Sequence, residues 1–305
     1  IWKNFWLPVM CNRSKIEVMH FPAYTASFVK TGKKSIVTIP DVIHRVSPNW
    51  FSRKELMLLD LPISFAIRNS DAIIAISEST KKDIMKYYNV SEKKIFVTPL
   101  AVDESFKPIE YPSLSEYLKN KYSIDGEFIL NVGVLFKRRN IPRLLEAFDM
   151  LKKNKKIKHK LVIIGPGKKY FNLNDYIDRY TLKREVIYLG YVEQADMPLM
   201  YNAAEFFIYP SLYEGFGLPV LEAMSCAKAV ITSNISSLPE VLGDGGILVD
   251  PYNTNELYDA MLRLVEDLQF RKTLEARAFG LSKCFSWEKT AKQTISIYEK
   301  NAFLG

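Results

Sequence analysis

Residues Glu205–Ser233 read EFFIYPSLYEGFGLPVLEAMSCAKAVITS, and the order of features within them decides the fold. The run from Phe206 to Tyr209 is apolar at every position, the pattern of a strand covered on both faces. A glycine-rich turn follows. A helix then opens near Pro219, where a missing N–H costs nothing because first-turn amides have no partner inside the helix. A second apolar run, Ala229–Thr232, returns the chain to a sheet. Strand, turn, helix and strand make the repeating unit of a parallel sheet, and the turn lies where such sheets take ligands.

The same alternation extends in both directions. Candidate strands upstream are Val18–Phe21, Ile36–Ile39, Ala72–Ile76 and Ile95–Pro99, then Phe128–Val132, Leu161–Ile164 and Val186–Leu189. Ile247–Val249 follows downstream, and helical-period segments separate the runs. The expected class is therefore α/β with two parallel sheets. Residues 103–126 carry Pro108, Pro112, Ser113, Ser115 and Gly126 without a strand pattern, which suits a connection containing one short helix. The expected domains are 1–112 and 113–287, with a final helix at about 288–305 packing back on the first.

With 305 residues, 48% hydrophobic and 25% charged, the chain is long enough for two cores. No apolar stretch is long enough to span a bilayer, and IWKNFWLPVM lacks the charged, apolar, small order of a secretory leader, so a cytoplasmic protein is expected. Cys11, Cys226 and Cys284 have neither disulfide nor zinc spacing, and no metal site is expected. The net charge of +8 fits nucleic acid, an anionic membrane or a nucleotide diphosphate equally. Lys152, Lys153, Lys155, Lys156, Lys158 and Lys160 follow an amphipathic pattern and read as a solvated helix end without a function.

The chemistry concentrates in the turn of the opening stretch. Gly215 and Gly217 lack Cβ atoms and let a diphosphate approach the backbone. The amides of Phe216, Gly217 and Leu218 point out of a helix start whose dipole favours the charge that grows on a departing nucleotide. Glu222, near the first turn, is placed to accept hydrogen bonds from ribose hydroxyls. Glu214 sits on the turn itself. Taken singly, Glu214 reads as a solvated loop residue and Glu222 as a helix-start carboxylate favoured by the dipole.

Taken together, Glu214 and Glu222 flanking GFGLP resemble the signature of retaining glycosyltransferase family four. The likeness continues through NVGVLFKRRNIPRLLEAF (131–148), LVIIGPG (161–167), LGYV (189–192), SSLPEVLGDGGILVDP (236–251) and FSWEKTA (285–291). IPDVIHRVSPNWF (39–51), AIIAISESTKKDI (72–84) and IFVTPLAVDESF (95–106) match an acceptor-side domain in the right order. The resemblance implies the GT-B fold, two facing Rossmann-like domains, and sugar transfer with retained configuration and no metal ion. It implies no cofactor beyond the nucleotide-sugar donor, of GDP or UDP type, with GDP-mannose users nearest. By the same resemblance Gly133, Arg138 and Arg139 meet the donor diphosphate, with Arg139 standing where lysine is usual. Gly165, Gly167, Tyr191 and Val192 lie near the base, Glu222 holds the ribose, and Glu214 contacts the donor sugar.

Two departures bear on function. Pro40 and Asp41 occupy the family's usual His-Asp position, leaving His44 as the nearby histidine for catalysis. The family's opening strand and glycine-rich turn have no counterpart before Ile1, so an incomplete N-terminal domain, finished by further residues or by a second chain, is expected. Expected partners are the nucleotide sugar and a glycan or lipid-linked hydroxyl acceptor, without nucleic acid. Trp2, Lys3, Phe5 and Trp6 with Phe51–Arg68 suit contact with the inner face of a membrane. The competing readings are a phosphorylase or epimerase on the same fold, and a nucleotide-sugar-binding subunit that depends on a partner.

Overall fold

The computed structural model describes residues 6–27, 33–167 and 172–302. The chain divides into two compact units. The first comprises Ile1–Ala101, Glu214–Phe216 and Ser286–Gly305; the second comprises Val102–Tyr213 and Gly217–Phe285.

In the first unit, helix α1 (Leu7–Arg13) leads into β1 (Val18–Phe21) and β2 (Lys34–Ile39). Then come α2 (Ile43–Val46), α3 (Arg53–Asn69), β3 (Ala72–Ala75), α4 (Glu78–Tyr88) and β4 (Ile95–Val97). The four strands are parallel in the order β1-β2-β3-β4. Successive residues of β2 serve opposite faces, as the period of two requires: Val37 and Ile39 join Cys11, Ile63 and Ile67 on one side, whereas Ile36 joins Ala72, Ile74 and Ile297 on the other. Local signals set the helix ends. Ser52 and Glu55 form a reciprocal capping box at α3, with the Ser52 N–H donating to Glu55 Oε2 at 2.8 Å and the Glu55 N–H to Ser52 Oγ at 3.3 Å. Ser77 caps α4, and Asn89 ends it in the left-handed conformation at φ 52°.

The second unit contains α5 (Leu114–Tyr122), β5 (Phe128–Val132), α6 (Ile141–Lys155), β6 (Lys160–Ile164), α7 (Leu173–Arg179) and β7 (Val186–Gly190). It continues with α8 (Met197–Ala203), β8 (Phe206–Tyr209), α9 (Leu218–Ser225), β9 (Val230–Ser233), α10 (Leu238–Leu242), β10 (Gly246–Val249), α11 (Thr254–Glu266) and α12 (Leu268–Ser282). Its six strands are parallel in the order β10-β9-β8-β5-β6-β7. The chain winds outward from β5 through β6 and β7, then resumes at β8 on the other side of β5. The order therefore reverses between β5 and β8, and at such a switch point the two following loops diverge and leave a crevice. One of those loops carries Gly133, Arg138 and Arg139; the other is the turn after Tyr209.

The final helix, α13 (Trp287–Ala302), belongs to the first unit. Ile297 seats it on β2 and β3, and the Tyr298 hydroxyl lies 2.6 Å from His20 Nδ1 while His20 Nε2 lies 2.8 Å from Thr38 Oγ1. The division falls at Ala101 and Val102, not near Pro112. Residues after Val102 attach to the second unit: the Phe106 ring packs edge-on to Tyr201 at 5.8 Å, and the Ile109 N–H donates to Asn202 Oδ1 at 2.9 Å. Lys152, Lys153 and Lys155 in the last turn of α6 form ion pairs with Glu185, Asp149 and Glu266. No disulfide joins the described cysteines.

Candidate functional site

The turns after β5, β6 and β7 in the second unit are joined by backbone hydrogen bonds. The Gly133 N–H donates to Ile164 O at 2.8 Å, the Gly165 N–H to Gly190 O at 2.7 Å, and the Leu135 N–H to Pro166 O at 3.0 Å. The fit is close enough to require glycine: a Cβ on Gly165 would lie 2.1 Å from Gly133 O, and its φ of +139° is strained for any side chain. A closely packed layer of backbone results. Tyr191 stands out from its edge, 78% exposed, while its neighbour Val192 is buried.

Arg138 and Arg139 occupy a short 3-10 turn, Lys137–Arg139, that is tied to the loop after β8. Arg138 O accepts the Leu212 N–H at 2.7 Å and the Ser211 hydroxyl at 2.9 Å. Arg139 is buried beneath Gly133, its guanidinium 4.8 Å from the centre of the Tyr209 ring and bonded to the Tyr209 hydroxyl. Arg139 thus carries a positive charge into the layer, whereas Arg138 remains partly exposed.

Helix α9 begins as the sequence pattern requires. Gly217 caps it at φ +113°, and a Cβ there would lie 2.9 Å from Leu238 Cδ2. The N–H groups of Gly217 and Leu218 have no partner among the described residues, so both are available to an anion. Phe216 departs from the expectation: it is buried, makes interactions of its own and clusters with the first unit.

Glu222 lies at the start of the second turn of α9, close to the helix start as expected. Its Oε2 accepts a hydrogen bond from the Tyr201 hydroxyl at 2.6 Å, and Oε1 accepts none from a described residue. Burial pushes the Glu222 carboxyl above its ordinary range, and the Tyr201 bond pulls it partly back. Tyr201 is fully buried, and burial followed by the charge of Glu222 raises its own hydroxyl well above the usual tyrosine value. From Tyr201 the rings continue to Phe207 at 5.3 Å and on to Tyr209 at 5.7 Å, the ring under Arg139. A buried aromatic ladder therefore links the carboxylate to the guanidinium. Sequence reasoning missed Tyr201 and Tyr209, because a tyrosine at a core position reads as packing until its hydroxyl partner is known.

Glu214 and Gly215 belong to the first unit by their contacts. Glu214 is buried, 6% exposed. Gly215 fits against residue 40: a Cβ would lie 2.3 Å from Pro40 O, and the Thr80 hydroxyl is 3.1 Å from Pro40 O and 3.2 Å from Gly215 O. Pro40 contributes its carbonyl here, where a histidine would add a ring. Asp41 Oδ1 accepts the Ile43 N–H at 3.1 Å, and Oδ2 accepts the Tyr24 hydroxyl at 2.9 Å.

His44, the histidine expected to assist catalysis, lies on α2 and is buried. Its Nε2 lies 2.8 Å from the Tyr88 hydroxyl and 3.2 Å from Asp60 Oδ1, and Arg45 makes two contacts to the same carboxylate. Burial lowers the His44 pKa and outweighs the opposing influence of Asp60. The imidazole lines a cavity of about 370 Å³ with Arg45, Leu56, Met57, Leu61 and Tyr87. No group of side chains among the described residues suits a metal ion.

Residues 116–280 match the family described as glycosyl transferases group 1, and residues 3–106 match glycosyltransferase family 4. An O-antigen chain mannosyltransferase B of Escherichia coli is 31% identical over 269 residues, covering 88% of this chain and 70% of that protein. The serotype-specific mannosyltransferase WbdA of the same organism is 34% identical over 236 residues, 76% of this chain but only 29% of WbdA. Among solved structures, sucrose-phosphate synthase from Thermosynechococcus elongatus superposes with a TM-score of 0.77 at 19% identity, over 96% of this chain and 76% of the other. Anabaena HepE in complex with UDP and glucose does so at 0.72 and 21%, over 89% and 72%. These likenesses show the GT-B fold class. The half of the chain that carries the glycine turns, the buried arginine and the two acids is thus matched as a whole, and the chain belongs to the glycosyl transferases of group 1.

Proposed function

We propose that the protein transfers a hexosyl group from a nucleotide-diphosphate sugar to a hydroxyl acceptor, with retained configuration and without a metal ion. The observation that carries this reading is the start of α9, where two partnerless amides precede a carboxylate fixed by a buried tyrosine. A diphosphate set against Gly217 and Leu218 receives two N–H donors and the positive end of the helix, with Arg138 and Arg139 supplying cations from the neighbouring turn. A sugar leaving its nucleotide builds negative charge on that diphosphate, so these fixed positive groups lower the barrier most. Glu222 Oε1 is then open to the ribose hydroxyls, while Glu214 takes the donor sugar. Tyr191 offers an exposed ring to the base, beside the backbone of Gly165 and Gly167. His44 acts through the position of α3, whose Asp60 it holds.

The donor proposed is GDP-mannose, supported by the names of the two Escherichia coli relatives, and its rival is a UDP-sugar of the kind bound by Anabaena HepE. The acceptor proposed is a glycan, lipid-linked at a membrane. No described helix is long and apolar enough to cross a membrane. However, α1 and α3 leave Trp6, Val9, Met10, Met57, Leu58 and Leu61 exposed, with the exposed cations Arg53 and Lys54 one helical turn before Met57 and Leu58. Trp2, Lys3 and Phe5 lie outside the described residues. Sedimentation with anionic liposomes at low salt tests this contact, and a protein left in the supernatant rejects it.

Thermal stabilisation by a panel of nucleoside diphosphates, followed by transfer assays with the matching sugars, tests the central reading. Glu222→Gln is expected to weaken donor binding, and Glu214→Ala to lower turnover with binding retained. Unchanged steady-state kinetics in both variants reject the assignments. Donor binding without transfer, restored by adding a second chain, replaces the self-sufficient enzyme with a partner-dependent subunit.

A further inference from the structure

A cavity of about 450 Å³ in the second unit uses none of the residues assigned to the donor. It opens where α6 begins, α7 ends and the turn between β10 and α11 passes. Arg143 enters it from α6, Arg179 from the last turn of α7, and Tyr252 from the turn, with Tyr176 and Tyr180 completing the wall. The Arg143 guanidinium lies 5.5 Å from the centre of the Tyr252 ring, and that of Arg179 lies 5.6 Å from the centre of Tyr176.

Two features separate this arrangement from an ordinary solvated surface. Neither guanidinium pairs with a carboxylate among the described residues, whereas Lys152, Lys153 and Lys155 at the far end of α6 each do. The single acid in the lining, Glu146, already accepts the Thr254 hydroxyl at 3.1 Å. The cavity therefore holds two planar cations, each oriented by an aromatic face, opposed by one engaged carboxylate. Tyr252 is 59% exposed, so much of its ring is available to a ligand.

We infer that this cavity is a second ligand site, for a saccharide bearing an anionic group. Guanidinium groups take phosphate or carboxylate oxygens in pairs, and their stacking on tyrosine leaves the N–H edges pointing past the ring. Tyrosine faces meet the C–H faces of a pyranose, and the volume falls in the range of small-molecule sites. The ligand is a free sugar phosphate or the charged residue of a longer glycan; both present one anion and one ring.

Calorimetric titration of the whole protein with mannose 6-phosphate, glucuronate, neutral mannose and inorganic phosphate provides the test, each repeated with the nucleoside diphosphate at saturation. The anionic sugars bind more tightly than either neutral mannose or phosphate alone, and saturating nucleotide leaves that binding in place. Arg143→Ala with Arg179→Ala weakens it by about tenfold or more, the size expected for lost charge-assisted bonds, and leaves the nucleotide's thermal shift intact. The milder Arg143→Lys and Arg179→Lys pair keeps the charge but loses the planar contact, and still lowers affinity. Loss of the sugar signal when nucleotide is added, equal affinity in the variants, or no saturable binding overturns the inference.

Discussion

Replacing Tyr201 by Phe removes one oxygen atom and nothing else from the wall behind Glu222. The ring keeps its packing at 5.3 Å from Phe207 and 5.8 Å from Phe106, so a void is not the source of any effect. What disappears is the 2.6 Å bond to Glu222 Oε2, a hydroxyl donating to a half-buried carboxylate. Hydrogen bonds to charged groups contribute about 1.5–3 kcal/mol, so donor affinity at neutral pH falls by roughly 10- to 100-fold if the carboxylate grips the ribose. The direction with pH follows from the raised Glu222 pKa. A carboxyl whose folded pKa exceeds its unfolded value adds stability below the unfolded pKa and loses it as pH rises through the folded one. Without Tyr201 the folded pKa climbs further. The variant's loss of stability is then larger at neutral pH than in the ordinary carboxylate range, and its donor binding fails at a higher pH than in the wild type. Thermal melts and nucleotide titrations across that interval read both effects. Equal nucleotide affinity in the two proteins at neutral pH, with parallel stability curves, refutes the role given to this pair.

Gly217→Ala is expected to lower stability by about 1–3 kcal/mol in urea titration, because it strains a φ of +113° and drives a methyl toward Leu238. The same change narrows the anion site, and nucleoside diphosphate affinity falls with it. Tyr298→Phe removes the bond to His20 and is expected to cost about 1 kcal/mol, measured by hydrogen exchange in β1 and β2, while nucleotide affinity stays unchanged.

Much of the fold is legible in the chain because the strands of a doubly covered parallel sheet are uniformly apolar. Phe206–Tyr209 and Val230–Ser233 are buried at every position, and the apolar runs Phe206–Tyr209 and Ala229–Ile231 identify them without reference to tertiary structure. The glycine turns are legible for the same kind of reason: Gly165 and Gly217 occupy backbone conformations that favour glycine. Less legible is anything decided by a side-chain partner distant in sequence. His44 reads as a loop histidine until Asp60 and Tyr88 surround it, and Tyr201 reads as core until Glu222 reaches its hydroxyl. The division at Ala101 was hidden because Phe106 and Ile109 act through Tyr201 and Asn202, residues with no local signature. Arg143 and Arg179 carried no signal either, since two isolated arginines in sequence give no hint of a shared cavity.

The return of α13 to the first sheet constrains the order in which the molecule is made. His20 and Tyr298 stand 278 residues apart, and the whole second unit is synthesised between them. Domains fold as units while the ribosome is still adding residues, so the six-stranded sheet reaches its native form while the four-stranded one still shows Ile36, Ala72 and Ile74 to water. That uncovered strip is the protein's window of vulnerability in the cell. Its closure waits on α13, and a ribosome stalled before Ile297 releases a chain whose four-stranded sheet remains sticky.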